Sequence, residues 1–146
     1  MQASVSPHGR GRAAPEEATS GWWRHDRLRY VDGELRLGGS AASSLASEHG
    51  SPLDVLDLEV ARRAAKRLRS AFDALSHPAE LYFAVKANRS RALLKAFTAA
   101  GVGMDCCSPG EVALAMECGA SPRSISFTGA ALSDRDVEAI GGLDLR

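Results

Sequence analysis

The sequence predicts an α/β fold: consecutive strand–helix units on a parallel sheet, the N-terminal part of an incomplete (β/α)8 barrel of the TIM type, with a β-hairpin ahead of it. Three observations carry this expectation. From residue 80 onward, short apolar runs alternate with amphipathic helical patterns, as strand–helix units of a parallel sheet do. The connections are short and contain no GxGxxG fingerprint, which favours a βα barrel over a dinucleotide-binding sheet. Asp32-Gly33 lies between two short strand-like runs, a strong signal for a two-residue hairpin turn.

Taken in order, Met1 to Ser20 is rich in Ala, Gly, Ser and Pro and lacks hydrophobic periodicity, so a disordered leader is expected over 1–27. A hairpin across Leu28 to Leu37 and a short helix from Ser40 to His49, closed by Gly50, form a lead-in over 28–50. The partial barrel domain is expected over 51–146. It begins with a short strand at Leu53–Leu56, followed by a helix from Leu58 to Leu75 with Asp57 as its cap. Ala61, Ala64, Ala65, Leu68, Phe72 and Leu75 recur at helical spacing along it. Its basic cluster Arg62, Arg63, Lys66, Arg67 and Arg69 reads as a solvated face. Strand 80–85, helix 90–100, strand 103–106, helix 109–118, strand 124–127 and helix 133–140 then follow, with a last apolar step at Leu143-Asp144-Leu145. A complete barrel needs about 250 residues, so either the fold is a smaller open sheet or the chain is a fragment of a barrel.

Composition narrows the function classes. Eighteen acidic residues balance eighteen basic ones in 146, which gives no support to nucleic-acid binding. No apolar run approaches the roughly 18 residues that span a bilayer, and the first residues lack the apolar core of a secretory signal. Cys106, Cys107 and Cys118 show no zinc spacing, so reduced thiols in a cytoplasmic protein are expected. Cys106 and Cys107 read as small core residues. His8, His25, His49 and His77 are scattered, and no metal site is expected.

Chemistry concentrates at Lys86. The run Leu81-Tyr82-Phe83-Ala84-Val85 leads straight into it, and Asn88 follows as a helix cap. The lysine therefore sits at the C-terminal end of a strand that reads as buried on both faces. Burial disfavours an ammonium, and a neutral amine is what Schiff-base chemistry with a carbonyl needs. Ser108-Pro109-Gly110-Glu111 reads as a capping box with proline at the first helical position. Asp105 stands at the end of the next strand, where an aspartate can cap the loop before Pro109.

Four segments in order carry a family resemblance. They are Gly50-Ser51-Pro52-Leu53-Asp54-Val55-Leu56-Asp57, Tyr82-Phe83-Ala84-Val85-Lys86-Ala87-Asn88, Gly101-Val102-Gly103-Met104-Asp105-Cys106-Cys107-Ser108-Pro109-Gly110-Glu111-Val112, and Ile125-Ser126-Phe127-Thr128-Gly129-Ala130-Ala131-Leu132-Ser133. Together they resemble the N-terminal portion of the fold-type III, pyridoxal-phosphate-dependent decarboxylases, which act on ornithine, arginine or diaminopimelate. The look is nearest the diaminopimelate enzymes of lysine biosynthesis. The resemblance implies a PLP-binding barrel, pyridoxal 5'-phosphate as cofactor, Lys86 as the catalytic lysine that holds the cofactor's aldehyde carbon, and Asp105 on the cofactor side. It also implies an amino-acid substrate and a homodimer. The family's phosphate-binding glycine loop and the acid facing the pyridine nitrogen are expected beyond Arg146, so this chain by itself is expected to lack full activity.

Departures from the pattern are Ala130 and Leu132, where the family has asparagine and lysine, Arg89, where a small residue, aspartate or proline is frequent, and Leu56 for a tyrosine. Three alternatives stand beside this reading: an ornithine- or arginine-type decarboxylase of polyamine metabolism, a non-catalytic decarboxylase-like binding protein, and a truncated product with no function of its own. An alanine racemase also carries a strand-end lysine, but the sequence after it here, Arg89-Ser90-Arg91, disfavours that class.

Overall fold

The computed structural model describes residues 26–146. Contacts divide the chain into two compact units, Met1–Leu56 and Asp57–Arg146. The leader expected over 1–27 lies outside the described residues except for Asp26 and Arg27.

In the first unit, β1 (Leu28–Val31) and β2 (Glu34–Leu37) pair antiparallel, with Val31 opposite Glu34. Asp32 and Gly33 adopt φ of 51° and 79°, and left-handed backbone at both central residues makes the tight turn that suits a twisted hairpin. A two-residue strand, β3 (Ser40–Ala41), joins β2 antiparallel; it is too short to show any sequence period. The helix α1 (Ala42–His49) follows and stops at Gly50. The strand expected at Leu53–Leu56 does not form: Leu53, Val55 and Leu56 are exposed and carry no ladder. Strand-like composition needs a partner to take the backbone hydrogen bonds, and this segment has none among the described residues.

The second unit opens with α2 (Leu58–Asp73), capped by Asp57, whose carboxylate accepts from the Glu59 and Val60 N–H groups at 3.0 and 3.4 Å. Its stripe is only partly used: Ala65 is buried and Leu58 and Ala61 pack on the core, whereas Leu68 and Leu75 are exposed. The basic cluster is exposed, as a solvated face should be.

Three parallel strands follow, β4 (Tyr82–Ala84), β5 (Gly103–Cys106) and β6 (Ile125–Phe127), in the spatial order β4-β5-β6. Neighbours in space are neighbours in sequence, as in the arc of a barrel; a doubly wound sheet reverses its order at a switch point. The connecting helices are α3 (Arg91–Ala99), α4 (Pro109–Glu117) and α5 (Asp134–Gly141). Ser133 caps α5 in a reciprocal box with Asp136. The final apolar step runs beside β6, where the Arg146 N–H donates to Ile125 O at 2.9 Å.

Strand alternation separates two faces. Phe83, Met104 and Ile125 stand in one row across the sheet and pack with Leu93, Leu94, Phe97, Val112 and Ala115 of α3 and α4. The rings of Phe83 and Phe97 lie 4.8 Å apart. Ala84, Asp105 and Ser126 form the row on the opposite face. One layer below, the Tyr82 ring covers Gly103 so closely that a Cβ there would fall 2.5 Å from a ring carbon.

Candidate active site

Lys86 stands in a single 3-10 turn, Val85–Ala87, immediately after β4. It is at the C-terminal end of the parallel strands, where the sequence places it. The burial predicted for it is not found: Val85 has no exposure, but Lys86 is exposed. The strand's last paired residue is Ala84, and the tighter turn carries the lysine past the layer that buries its neighbour. Asn88 also differs from expectation. The cap of α3 is Ser90, and Asn88 instead accepts from the Ser90 N–H through Oδ1 at 2.9 Å, a local turn that asparagine makes readily.

Asp105 sits in β5, partly buried, in register with Ala84 and Ser126. The loop before Pro109 is capped by Ser108, whose Oγ accepts from the Glu111 N–H at 3.3 Å. The alternative role for Asp105, capping that loop, is therefore taken by another residue.

The second half of the predicted capping box is replaced by a more consequential arrangement. The Glu111 side chain, 2% exposed, does not return to Ser108. Its Oε1 accepts from the Arg89 guanidinium at 2.7 Å, and its Oε2 accepts from the Cys107 N–H at 3.0 Å and the Cys107 thiol at 3.3 Å. Burial opposes the carboxylate's charge, yet the Cys107 N–H and Arg89 bonds outweigh it and hold its pKa below the usual range. The two adjacent cysteines part company, since Cys106 ends β5 and Cys107 opens the loop after it. Cys106 is buried as predicted, and burial, with Glu111, Asp105 and Cys107 adding, pushes its thiol up to about 12. Cys107 is exposed, contrary to the core role expected of it. Its hydrogen bond to Glu111 raises its pKa, against the lowering fields of Lys86 and Arg89. Lys86, Arg89, Glu111 and Cys107 thus share one electrostatic neighbourhood at the strand ends.

Beyond β6, the Thr128 N–H donates to Cys106 O at 2.9 Å, tying the third strand-end loop to the second. Ala130 is exposed and Leu132 is partly buried, so neither position offers a polar group to this rim.

The chemistry of these donors fits the carbonyl end of a pyridoxal group: an exposed primary amine at a strand end, with a carboxylate on the sheet face opposite the helices. Comparison with known proteins decides the family. The profile of the pyridoxal-dependent decarboxylase, pyridoxal binding domain, matches residues 58–141. The chain belongs to this family. It is 35% identical over 106 residues to a diaminopimelate decarboxylase of Methanothermobacter thermautotrophicus, an alignment covering 73% of this chain and 25% of the relative. A diaminopimelate decarboxylase of Actinosynnema pretiosum is 34% identical over 114 residues, covering 78% and 25%. Among solved structures, AQ1208 from Aquifex aeolicus superposes with a TM-score of 0.71 at 32% identity, covering 79% of this chain and 28% of that one. Diaminopimelate decarboxylase from M. jannaschi gives 0.73 at 25% identity, covering 78% and 27%. The chain spans about a quarter of the length of the curated relatives it matches, and its α/β architecture corresponds to the N-terminal barrel portion of this decarboxylase family.

The pairing of Arg89 with Glu111 follows no local sequence pattern. One signal was present: an arginine three positions after the lysine where a small residue is frequent.

Proposed function

We propose that the protein is a pyridoxal-phosphate-dependent decarboxylase of a basic or dibasic α-amino acid, diaminopimelate first, serving lysine biosynthesis. The observation that carries this reading is the exposed Lys86 amine at the C-terminal end of β4 in a chain of the pyridoxal-binding family. The names of the curated relatives favour diaminopimelate. Lys86 would hold the cofactor by its aldehyde carbon, and Asp105, on the sheet face opposite the helices, would stand on the cofactor side. When bound, pyridoxal phosphate supplies the electron sink for the carbanion left as carbon dioxide departs. The protein's own part is to present one amine at a fixed place and to keep that side of the sheet open. A homodimer and a cytoplasmic setting, where thiols such as Cys107 stay reduced, complete the proposal.

The test exploits composition. Lys66, Lys86 and Lys95 are the chain's three lysines. After incubation with pyridoxal phosphate and reduction with borohydride, peptide mapping should find the label concentrated on Lys86. Label shared evenly with Lys66 and Lys95 would overturn the assignment. Carbon dioxide release from diaminopimelate, set against ornithine and arginine, then ranks the substrates.

A further inference from the structure

We propose that Arg89 and Glu111 are positioning residues, a charge clamp that fastens the Lys86 turn to the β5–α4 loop and so sets where the Lys86 amine stands. The inference rests on the pyridoxal role proposed for Lys86.

Glu111 is the one charged residue among the described residues that is fully buried. Both of its oxygens are committed, and they are committed to different loops. Oε1 takes Arg89 from the segment after β4, and Oε2 takes the Cys107 N–H and thiol from the segment after β5. Arg89 is firmly joined to Lys86. The Asn88 N–H donates to Val85 O at 3.2 Å, and Asn88 Oδ1 accepts from the Ser90 N–H at 2.9 Å. These two bonds tie residues 85–90 into one hydrogen-bonded turn, so a restraint on Arg89 bears on the placement of Lys86. The far end of the clamp, Cys107, follows Asp105 by two residues as Lys86 follows Ala84, and Ala84 and Asp105 are register partners. Turn, arginine, glutamate and β5 loop close a ring around the strand ends.

Stability alone is a poor reason for this arrangement. Glu111 is buried but the Arg89 side chain is 65% exposed, and an ion pair with a solvent-facing partner contributes little to stability. What the pair supplies is direction: a planar carboxylate bridging two loops fixes their separation, where apolar packing would let them slide. Correct placement of a reacting group is worth large factors in rate, and an ångström of misplacement costs them.

The experiment is the lysine labelling described above, run on the 146-residue wild-type chain and on Arg89→Ala, Arg89→Lys and Glu111→Gln, with circular dichroism to certify folding. Glu111→Gln is the near-isosteric check, because its amide cannot accept at both positions. The expected result is a fall of about tenfold in the preference for Lys86 over Lys66 and Lys95 in Arg89→Ala and Glu111→Gln, with partial recovery in Arg89→Lys. Wild-type preference retained in folded Arg89→Ala and Glu111→Gln overturns the clamp and leaves the pyridoxal reading standing. Even labelling in the wild-type chain overturns that reading, and the clamp's purpose with it.

Discussion

At the scale of single residues, the side chain that governs this site makes no claim to chemistry of its own. Glu111 holds an arginine and a thiol, and its hydrogen bond with Cys107 raises that thiol's pKa. Removing the Glu111 charge should have a signed effect. The thiol's pKa is raised, first through its hydrogen bond to Glu111, while Lys86 and Arg89 pull the other way. Glu111→Gln therefore lowers the pKa and increases the thiolate present at neutral pH, and the thiolate is the nucleophile. The rate of Cys107 alkylation by iodoacetamide, followed against pH by peptide mapping, should show its midpoint at lower pH in Glu111→Gln and at higher pH in Lys86→Met. A midpoint unmoved in both would mean that the three side chains do not share a field. Lys86 itself was legible in the sequence because a strand pattern ends on it and a motif surrounds it. The Arg89–Glu111 pair was not, for a physical reason: the partners are separated by 22 positions, and Ser108-x-x-Glu111 already satisfied a local capping rule. A residue that fulfils a short-range pattern gives no sign that its side chain is spent elsewhere.

At the scale of elements, the βα units were readable because each strand and helix carries its own period. β5 spans the residues the alternation predicts, and the start of α4 at Pro109 follows from a cap and a first-turn proline. Features that depend on partners were not readable: β3 exists because β2 lies beside it, and Leu53–Leu56 fails as a strand because nothing among the described residues pairs with it. The same dependence makes Gly103 a sensitive position. It is buried in the central strand, a Cβ there would lie 2.5 Å from the Tyr82 ring, and Ser124 O closes the other side at 3.0 Å. Gly103→Ala should destabilise the chain by about 1–3 kcal/mol, the usual cost of overpacking. Urea titration is the measurement, and Tyr82→Ala in the same chain should return part of the loss, because the offending atoms are the ring's. Equal denaturation midpoints for the wild-type and Gly103→Ala chains would show that the ring swings aside freely.

At the scale of the whole chain, equal numbers of acidic and basic residues leave no net charge near neutrality, so self-repulsion is smallest there and grows as carboxylates take up protons. Two carboxyl groups have a further reason to resist. Glu111 is held low against burial by the Cys107 N–H and Arg89, and Asp136 is held low by the Ser133 N–H and hydroxyl in the α5 capping box. A folded-state pKa below the unfolded value means that the unfolded chain binds more protons on the acid side. The stability these groups contribute is therefore complete above the ordinary carboxylate range, about 4, and is lost as pH falls through their lower folded values. The melting temperature should hold steady on the neutral side of that range and drop below it. Glu111→Gln, which has no proton to gain, should melt lower than wild type at neutral pH and show a shallower fall in acid, so that the two curves converge. Parallel curves across the acid limb would mean that Glu111 titrates alike in the folded and unfolded chains, and the buried clamp would lose its electrostatic basis.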